Sequence, residues 1–136
     1  MKKNILLLII AISVTQLQAQ SIKFKKDKVL IDKEECLNYD KADANNLEIS
    51  TLDGEQTVFL KFIRTGVGQN GGLYSKIIFV EEKKSMTSRS YIFTKKLLVK
   101  KLLSAGVLVD CALDEAKIDK FILKYDEGIE ETLIRH

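Results

Sequence analysis

Residues 47–64 read LEISTLDGEQTVFLKFIR, and this stretch decides the fold. Two runs with alternating apolar residues, 47–52 and 57–64, flank Asp53 and Gly54. An Asp-Gly pair in that position is the strongest short-range signal for a β-hairpin. The second run presents apolar side chains to both faces, with Val58, Leu60 and Phe62 on one and Phe59 and Ile63 on the other. We therefore expect a hairpin whose second strand is central and is partly covered on both sides.

The same period of two continues on either side of this hairpin. Upstream, an alternating stretch at 22–24 precedes a predicted hairpin, with strands at 28–31 and 35–39 around Asp32 and Lys33. The polar segment 41–46 (KADANN) predicts a loop. Downstream we expect a strand at 73–80, a charged loop at 81–87 and a last strand at 88–93. Together these segments predict about five to seven short strands in a mostly antiparallel sheet.

After Thr94, a good N-cap residue, the apolar period changes to that of a helix. Leucine and valine recur at helical spacing as far as Gly106, which stands where a C-cap glycine belongs. A second helix is predicted from about Asp114 to Gly128, with a buried stripe at Ile118, Phe121, Ile122 and Tyr125. Residues 129–136 are expected to form a tail or a short turn. Strands first and helices afterwards indicate an α+β fold, in which two C-terminal helices pack on one face of the N-terminal sheet.

The first twenty residues predict a cleaved signal peptide. Lys2 and Lys3 precede an apolar core at 5–14 (ILLLIIAISV), and polar or small residues follow up to Ala19 and Gln20. This core is shorter than the roughly 20 apolar residues that span a bilayer, so no transmembrane segment is expected. Cleavage after Ala19 or Gln20 would leave residues 21–136 as a single α+β domain, in the periplasm or outside the cell.

The charge balance changes once this leader is set aside. The whole chain has 22 basic and 19 acidic residues, and the leader contains two of the basic residues and no acid. Residues 21–136 therefore have 20 basic and 19 acidic residues, for a net charge of +1 with the histidine neutral. Because only a net charge far from zero attracts polyanions non-specifically, nucleic acid is not expected as a partner.

The segment 66–72 (GVGQNGG) is the most unusual stretch of the chain, and it contains a literal G-x-G-x-x-G. In a dinucleotide-binding fold this motif lies between a strand and a helix whose N-terminus meets the pyrophosphate. Here a strand is predicted on both sides, so no nucleotide cofactor is expected. The segment is either a flexible hairpin loop or a loop that grips a ligand. The residues predicted to contact such a ligand are Gly66, Gly68, Gln69, Asn70, Gly71 and Gly72.

Cys36 and Cys111 are the only two cysteines of the chain. An even count in an oxidising compartment is compatible with a disulfide, which would link the first hairpin to the segment between the helices. The alternative is two separate buried thiols that act as small apolar side chains. His136 is the only histidine, so the chain offers neither a Ser-His-Asp triad nor a multi-histidine metal site. We predict no catalytic residue, no metal ligand and no cofactor.

Two kinds of charged cluster leave other functions open. Paired acids occur at 34–35, 81–82, 126–127 and 130–131, and two carboxylates are enough for glycoside hydrolysis. Such pairs are more often solvated surface charge. Seven basic residues lie between 83 and 101, and a basic amphipathic helix can contact an anionic surface. The residues predicted to make that contact are Lys95, Lys96, Lys100 and Lys101.

Several short segments carry a resemblance to a known group of proteins. The leader ending in LQAQ, the hairpin segment 28–32 (KVLID), the turn at 50–54 (STLDG) and the closing helix at 118–125 together resemble uncharacterised small exported proteins of Bacteroidetes-type bacteria. The resemblance covers most of the chain after the leader. It implies export and the α+β order, and it transfers no activity, ligand or catalytic residue.

These observations predict a non-enzymatic binding or interaction module of the periplasm or cell exterior, whose partner is an unidentified protein or envelope ligand. The alternative is a small hydrolase that acts on envelope sugars or peptides, through carboxylates or through Asp110 and Cys111.

Overall fold

A computed structural model describes residues 20–134, so the predicted signal peptide lies almost entirely outside the described residues. Seven strands form one antiparallel sheet in chain order: β1 (Ile22–Lys25), β2 (Lys28–Ile31), β3 (Glu34–Asp43), β4 (Asn46–Thr51), β5 (Thr57–Arg64), β6 (Leu73–Phe79) and β7 (Lys84–Ser88). The remaining elements are a 3-10 turn at Gln69–Gly72, α1 (Lys95–Ser104), the two-stranded ribbon of β8 (Leu108–Val109) and β9 (Ala112–Leu113), α2 (Glu115–Tyr125) and α3 (Ile129–Ile134). The predicted α+β fold is confirmed, and a short third helix replaces the expected tail.

The hairpin predicted around Asp53 and Gly54 is the one that joins β4 to β5. Leu47 lies opposite Leu60 and Ile49 opposite Val58 across this pair of strands, so their apolar side chains share one face. The turn is closed by Asp53, whose Oδ1 accepts hydrogen bonds from the Thr51 hydroxyl at 2.6 Å and from the Glu55 amide at 3.0 Å. Gly54 adopts a φ of 78°, a conformation that favours glycine.

The segment 41–46 is not the predicted loop. Strand β3 continues to Asp43, and Lys41 pairs with Leu47 of β4, so only Ala44 and Asn45 remain in the turn. The polar composition of this segment does not indicate a long loop, because one of its polar side chains stabilises a two-residue turn. Asp43 Oδ1 accepts a hydrogen bond from the Asn45 amide at 2.7 Å. Polar side chains that stabilise so tight a turn allow both strands to run up to it.

The placement of the last strand was also predicted wrongly. The sequence suggested a loop at 81–87 and a strand at 88–93, whereas β7 occupies Lys84–Ser88. The chain reverses early because Lys83 adopts a φ of 57° and its amide donates to the Val80 carbonyl at 3.2 Å. Residues 89–94 then lead away from the sheet to α1, and the hydroxyl of Ser75 holds this segment by donating to the Tyr91 carbonyl at 3.0 Å.

The core lies between one face of the sheet and the two longer helices. The predicted N-cap Thr94 is confirmed, since its Oγ1 accepts from the Leu97 amide at 3.2 Å. Asp114 caps the second helix in the same way, with its Oδ1 accepting from the Ala116 amide at 3.1 Å. Buried side chains from all seven sheet strands and both helices form one continuous cluster. The helices contribute Leu98, Val99 and Leu102 from α1 and Ile118, Phe121 and Tyr125 from α2. None of the helices in the described part of the chain has the length and apolar character needed to cross a membrane.

After α2 the chain passes over the edge of β7 and reaches the other face of the sheet. The Thr87 amide donates to Asp126 Oδ1 at 2.9 Å, and the Thr87 carbonyl and hydroxyl accept from the amides of Glu127 and Ile129, both at 2.8 Å. Helix α3 then lies near Tyr74, whose hydroxyl donates to Glu130 at 3.0 Å. This crossing covers part of an edge strand that would otherwise offer unpaired backbone groups to another chain.

At the opposite end of the sheet the ribbon β8–β9 is fastened in two places. Cys36 of β3 is bonded to Cys111 in the ribbon turn, with the two Cα atoms 5.0 Å apart, so the disulfide is the one present of the two alternatives that the sequence left open. The side-chain amide of Gln56 pairs with the backbone of Leu113: it donates to the carbonyl at 3.0 Å and accepts from the amide at 2.9 Å. The segment between the helices is therefore held against the start of β5.

Removing the disulfide should lower the stability of the protein substantially. The bond closes a loop between residues 75 positions apart. In the loop-entropy model such a closure contributes roughly 4–5 kcal/mol. We expect the double variant Cys36→Ala/Cys111→Ala to lose about this free energy of unfolding in urea. Wild-type protein unfolded under reducing conditions is the matched control and should lose a similar amount, whereas an unchanged midpoint in both would contradict the assignment.

Candidate functional site

The glycine-rich segment forms an ordered end to the hairpin of β5 and β6. The Gly66 amide donates to the Gly71 carbonyl at 2.8 Å, and the Thr65 amide donates to the Gly72 carbonyl at 3.4 Å. These two bonds continue the pairing of the strands past Arg64 and Leu73. The hairpin loop is therefore closed at its base by backbone hydrogen bonds.

The side chain of Thr65 fixes the first half of this loop. Its Oγ1 accepts from the Val67 amide at 3.2 Å, and its hydroxyl lies 3.2 Å from the Val67 carbonyl, to which it can donate. Gly72 packs directly against the Thr65 side chain and the Val67 carbonyl. A Cβ atom on Gly72 would lie 1.8 Å from Thr65 Oγ1 and 2.6 Å from the Val67 carbonyl oxygen. No side chain fits there while Thr65 and Val67 keep their positions.

The outer surface of the loop is open to solvent. Val67 is 78% exposed, and Gln69 and Asn70 are exposed beside it. The predicted contact residues thus divide into two sets: Gly66, Gly68, Gln69, Asn70 and Gly71 are exposed, whereas Gly72 is buried and shapes the loop from within. Strand β6 follows directly at Leu73, so the loop does not lead into the helix N-terminus that a dinucleotide site requires.

Four of the eight paired acids considered for hydrolysis accept structural hydrogen bonds, namely Glu81, Asp126, Glu127 and Glu130. The two carboxylate oxygens of Glu82 are buried and have no hydrogen-bond partner among the described residues. Glu34 and Glu35 are exposed on β3. Glu81 Oε2 accepts from the Thr57 amide at 2.9 Å. Cys111 is oxidised to a disulfide, so it presents no thiolate beside Asp110. Within residues 20–134 no three His, Cys, Asp or Glu side chains are grouped so as to hold a metal ion.

Glu127 stabilises the loop between β7 and α1. Its carboxylate accepts hydrogen bonds from the Arg89 amide at 2.9 Å, from the Ser90 amide at 3.2 Å and from the Ser88 hydroxyl at 3.1 Å. Partial burial raises the pKa of this carboxyl, but the hydrogen bonds from Arg89, Ser90 and Ser88 outweigh burial and hold the pKa below its ordinary value.

Glu130 fastens α3 to the outer face of the sheet. The Lys76 ammonium, 2.7 Å from Oε1, lowers the pKa of this carboxyl, burial opposes the change, and the Tyr74 hydroxyl at 3.0 Å lowers the pKa further. A general acid at neutral pH needs a pKa raised towards the working pH. Glu127 and Glu130 are shifted in the other direction, so their environment suits permanent carboxylates that hold the C-terminal segment in place.

One pair of acids on the outer face was missed at the level of the sequence. Asp40 of β3 lies directly opposite Glu48 of β4, and both line two adjoining shallow depressions of about 170 and 370 Å³. Phe59 and Lys61 complete the rim of the smaller one. Like charges directly opposite each other on neighbouring strands are destabilising, which makes the pair unusual. The alternation of side chains along β3 and β4 would have placed Asp40 and Glu48 on the same face of the sheet. The incorrect prediction of a loop at 41–46 left the register of the two strands undetermined.

The four lysines predicted to contact an anionic surface differ in their exposure to solvent and in their contacts. Lys96 and Lys100 are exposed on the side of α1 away from the sheet. The Lys95 ammonium instead lies over the rings of Phe24 and Tyr39, 4.9 and 4.8 Å from their centroids. A cation placed over two aromatic rings is attracted by their electron-rich faces, so Lys95 serves the contact between α1 and the sheet.

Comparison of the chain with protein-family models, with curated proteins and with solved structures finds no match in any of the three. The function therefore has to be inferred from the geometry of this molecule.

The steric role of Gly72 can be tested with a matched glycine of the same loop. Gly66 and Gly72 have φ values of 82° and 69°, so alanine at either position costs about 1–2 kcal/mol of backbone strain. Only at Gly72 does the added Cβ overlap Thr65 and Val67. We expect Gly72→Ala to lower the free energy of unfolding by about 1–3 kcal/mol more than Gly66→Ala does, as measured in urea. Equal losses would show that the loop is not packed as described.

Proposed function

We propose that the protein is an exported, non-enzymatic interaction module that presents the loop 66–72 to a protein partner or an envelope ligand. The observation that carries this proposal is that the loop is ordered by its own hydrogen bonds while Val67, at its tip, is 78% exposed. An ordered loop loses little conformational freedom on binding, and this saving increases affinity.

The scaffold beneath the loop supports the same proposal. Strand β5 leads from Gln56, which is fixed to Leu113, to Arg64 at the base of the loop. Its central residues Val58 and Leu60 are buried, and it pairs with a strand on each side. Binding residues are commonly placed on loops that a rigid scaffold positions. Val67 would supply the apolar contact, and Gln69 and Asn70 would supply amide hydrogen bonds.

Export is part of the proposal and has two supports. The leader pattern of residues 1–20 is typical of a signal peptide. The bond between Cys36 and Cys111 is of a kind that persists in oxidising compartments and is rare in the cytosol.

The alternative, a small envelope hydrolase that works through carboxylates, has one favourable feature. Asp40 and Glu48 face each other beside a depression on the outer face of the sheet. Most of the other paired acids are exposed or accept structural hydrogen bonds, and Glu127 and Glu130 are shifted towards low pKa, so we place this function second. The carboxylate oxygens of Glu82 are the exception, because they are buried with no hydrogen-bond partner among the described residues.

Replacing Val67 should abolish partner binding without harming the fold. The experiment is affinity capture from periplasm and medium with three forms of the tagged protein: wild type, Val67→Asp and the control Leu52→Asp. Leu52 is a 47% exposed apolar residue in the β4–β5 turn, far along β5 from the loop. We expect one partner in near-equal amount with wild type and Leu52→Asp and a loss of at least tenfold with Val67→Asp, since charge at the centre of an interface typically costs on the order of 2 kcal/mol or more.

Capture that is equal for all three forms would place the interaction elsewhere and contradict the role of the loop. If wild type captures nothing, a screen of envelope glycans and peptides with wild type and Asp40→Asn decides whether the hydrolase alternative replaces the proposal.

A further inference from the structure

The two longer helices together form one basic face. Helix α1 contains four lysines and no acid, and α2 contains three lysines and two acids, so the pair has a net charge of +5. Residues 21–136 have a net charge of +1, which leaves −4 for the rest of that segment. The two helices therefore carry an excess of positive charge that the total charge of residues 21–136 does not reveal.

The orientation of α2 points its lysines away from the sheet. Ile118, Phe121 and Tyr125 are turned into the core, so the opposite side of the helix presents Lys120 and Leu123 to solvent. Asp119 is paired with Lys84 of β7, which neutralises one of the two acids. The lysines that the sequence predicts to contact an anionic surface all lie on α1, so α2 adds basic residues that were not predicted to take part.

One contact joins α1 to α2 at this surface, and a neighbouring lysine of α2 lies beside it. The ammonium of Lys101 from α1 lies 6.0 Å from the centroid of the Tyr125 ring, and the ammonium of Lys124 from α2 lies 5.3 Å from it. The lysines of both helices thus flank a single ring. Each helix is about 15 Å long, so together they offer a broad face rather than a single stripe.

Leu123 distinguishes this face from an ordinary solvated helix surface. It is 86% exposed, the largest exposed fraction among the large hydrophobic side chains of the described residues, and it lies between Lys120 and Lys124 in the sequence. An apolar side chain among lysines is of no use to a purely electrostatic contact with a soluble polyanion. It does fit a bilayer surface, where lysines meet anionic headgroups and a leucine enters the acyl boundary.

We infer that the face formed by Lys96, Lys100, Lys120, Lys124 and Leu123 docks on the surface of a membrane that contains anionic phospholipid. The argument is charge complementarity together with the exposed leucine. This surface is separate from the loop 66–72, so the inference does not depend on the partner proposed for the loop.

The test is co-sedimentation of the protein with phosphatidylcholine vesicles that contain or lack phosphatidylglycerol. The protein is used in the form in which it is purified from the cells that produce it. At low salt we expect binding only to the vesicles with phosphatidylglycerol, and release at high salt because the interaction is screened. The triple variant Lys96→Gln/Lys100→Gln/Lys120→Gln should bind on the order of a hundredfold more weakly, at about 1 kcal/mol for each lysine near an anionic surface.

Two control variants make the result specific to this face. The exposed lysines Lys33, Lys41 and Lys83 lie outside the helices, and replacing all three by glutamine removes the same total charge. This control should bind as wild type does. Leu123→Ser should weaken vesicle binding about tenfold, from the apolar contact it loses, whereas Val67→Ser, which removes an exposed apolar group on the loop, should leave it unchanged.

Three results would overturn the inference. One is no binding to phosphatidylglycerol vesicles at low salt by a wild-type protein that unfolds cooperatively. The second is equal weakening by the two triple variants, which would indicate a response to total charge alone. The third is tighter binding to soluble polyphosphate than to vesicles, with no effect of Leu123→Ser, which would identify a polyanion as the occupant.

Discussion

The structure depends on the burial of one apolar sheet face beneath α1 and α2. Alternation along β4, β5 and β6 places side chains such as Leu60, Ile77 and Phe79 on that face, where they are completely buried. A face of this kind must be covered by another layer, and the helices supply it with Leu98, Phe121 and their neighbours on each stripe. One side of each helix is buried against the sheet, and the other side is in contact with solvent. The solvent-facing sides contain the lysines of the basic face.

The two ends of the sheet differ in what they carry: one contacts the ribbon β8–β9, and the other ends in the loop 66–72. One end is fastened by the disulfide and by the pairing of Gln56 with Leu113, which together hold the ribbon between the helices. At the other end, β5 and β6 extend into a loop that is free of the helices and ordered by Thr65 and Gly72. A rigid base and a small ordered tip suit recognition. The acids near the C-terminus serve the fold, since Glu127 and Glu130 hold the crossing over β7.

Much of the fold could be predicted from the sequence because its signals are local. The Asp53-Gly54 turn, the N-cap Thr94, the start of α2 near Asp114 and the stripe of α2 each follow from a few neighbouring residues, and all are present. The errors arose where polar residues stand inside paired strands. Segment 41–46 looked like a loop because its composition is polar, whereas its pairing is set by β4, and composition does not reveal a distant partner.

The candidate site was less predictable for the same reason. The loop 66–72 was found from its glycines, but its order comes from the contact between Thr65 and Gly72, which is visible only when the hairpin is closed. The facing of Asp40 and Glu48 requires the strand register, and the shared basic face requires the positions of two helices. Both features arise from contacts between segments that are distant in the sequence.

The proposals above require an exported scaffold, held by its disulfide, that presents these surfaces outside the cytosol. Cell fractionation followed by peptide mass spectrometry without reduction tests both requirements at once. We expect a protein in the periplasm or medium whose first residue is Gln20 or Ser21 and whose Cys36 and Cys111 peptides are covalently joined. A cytosolic protein that retains Met1 and carries two free thiols would contradict it.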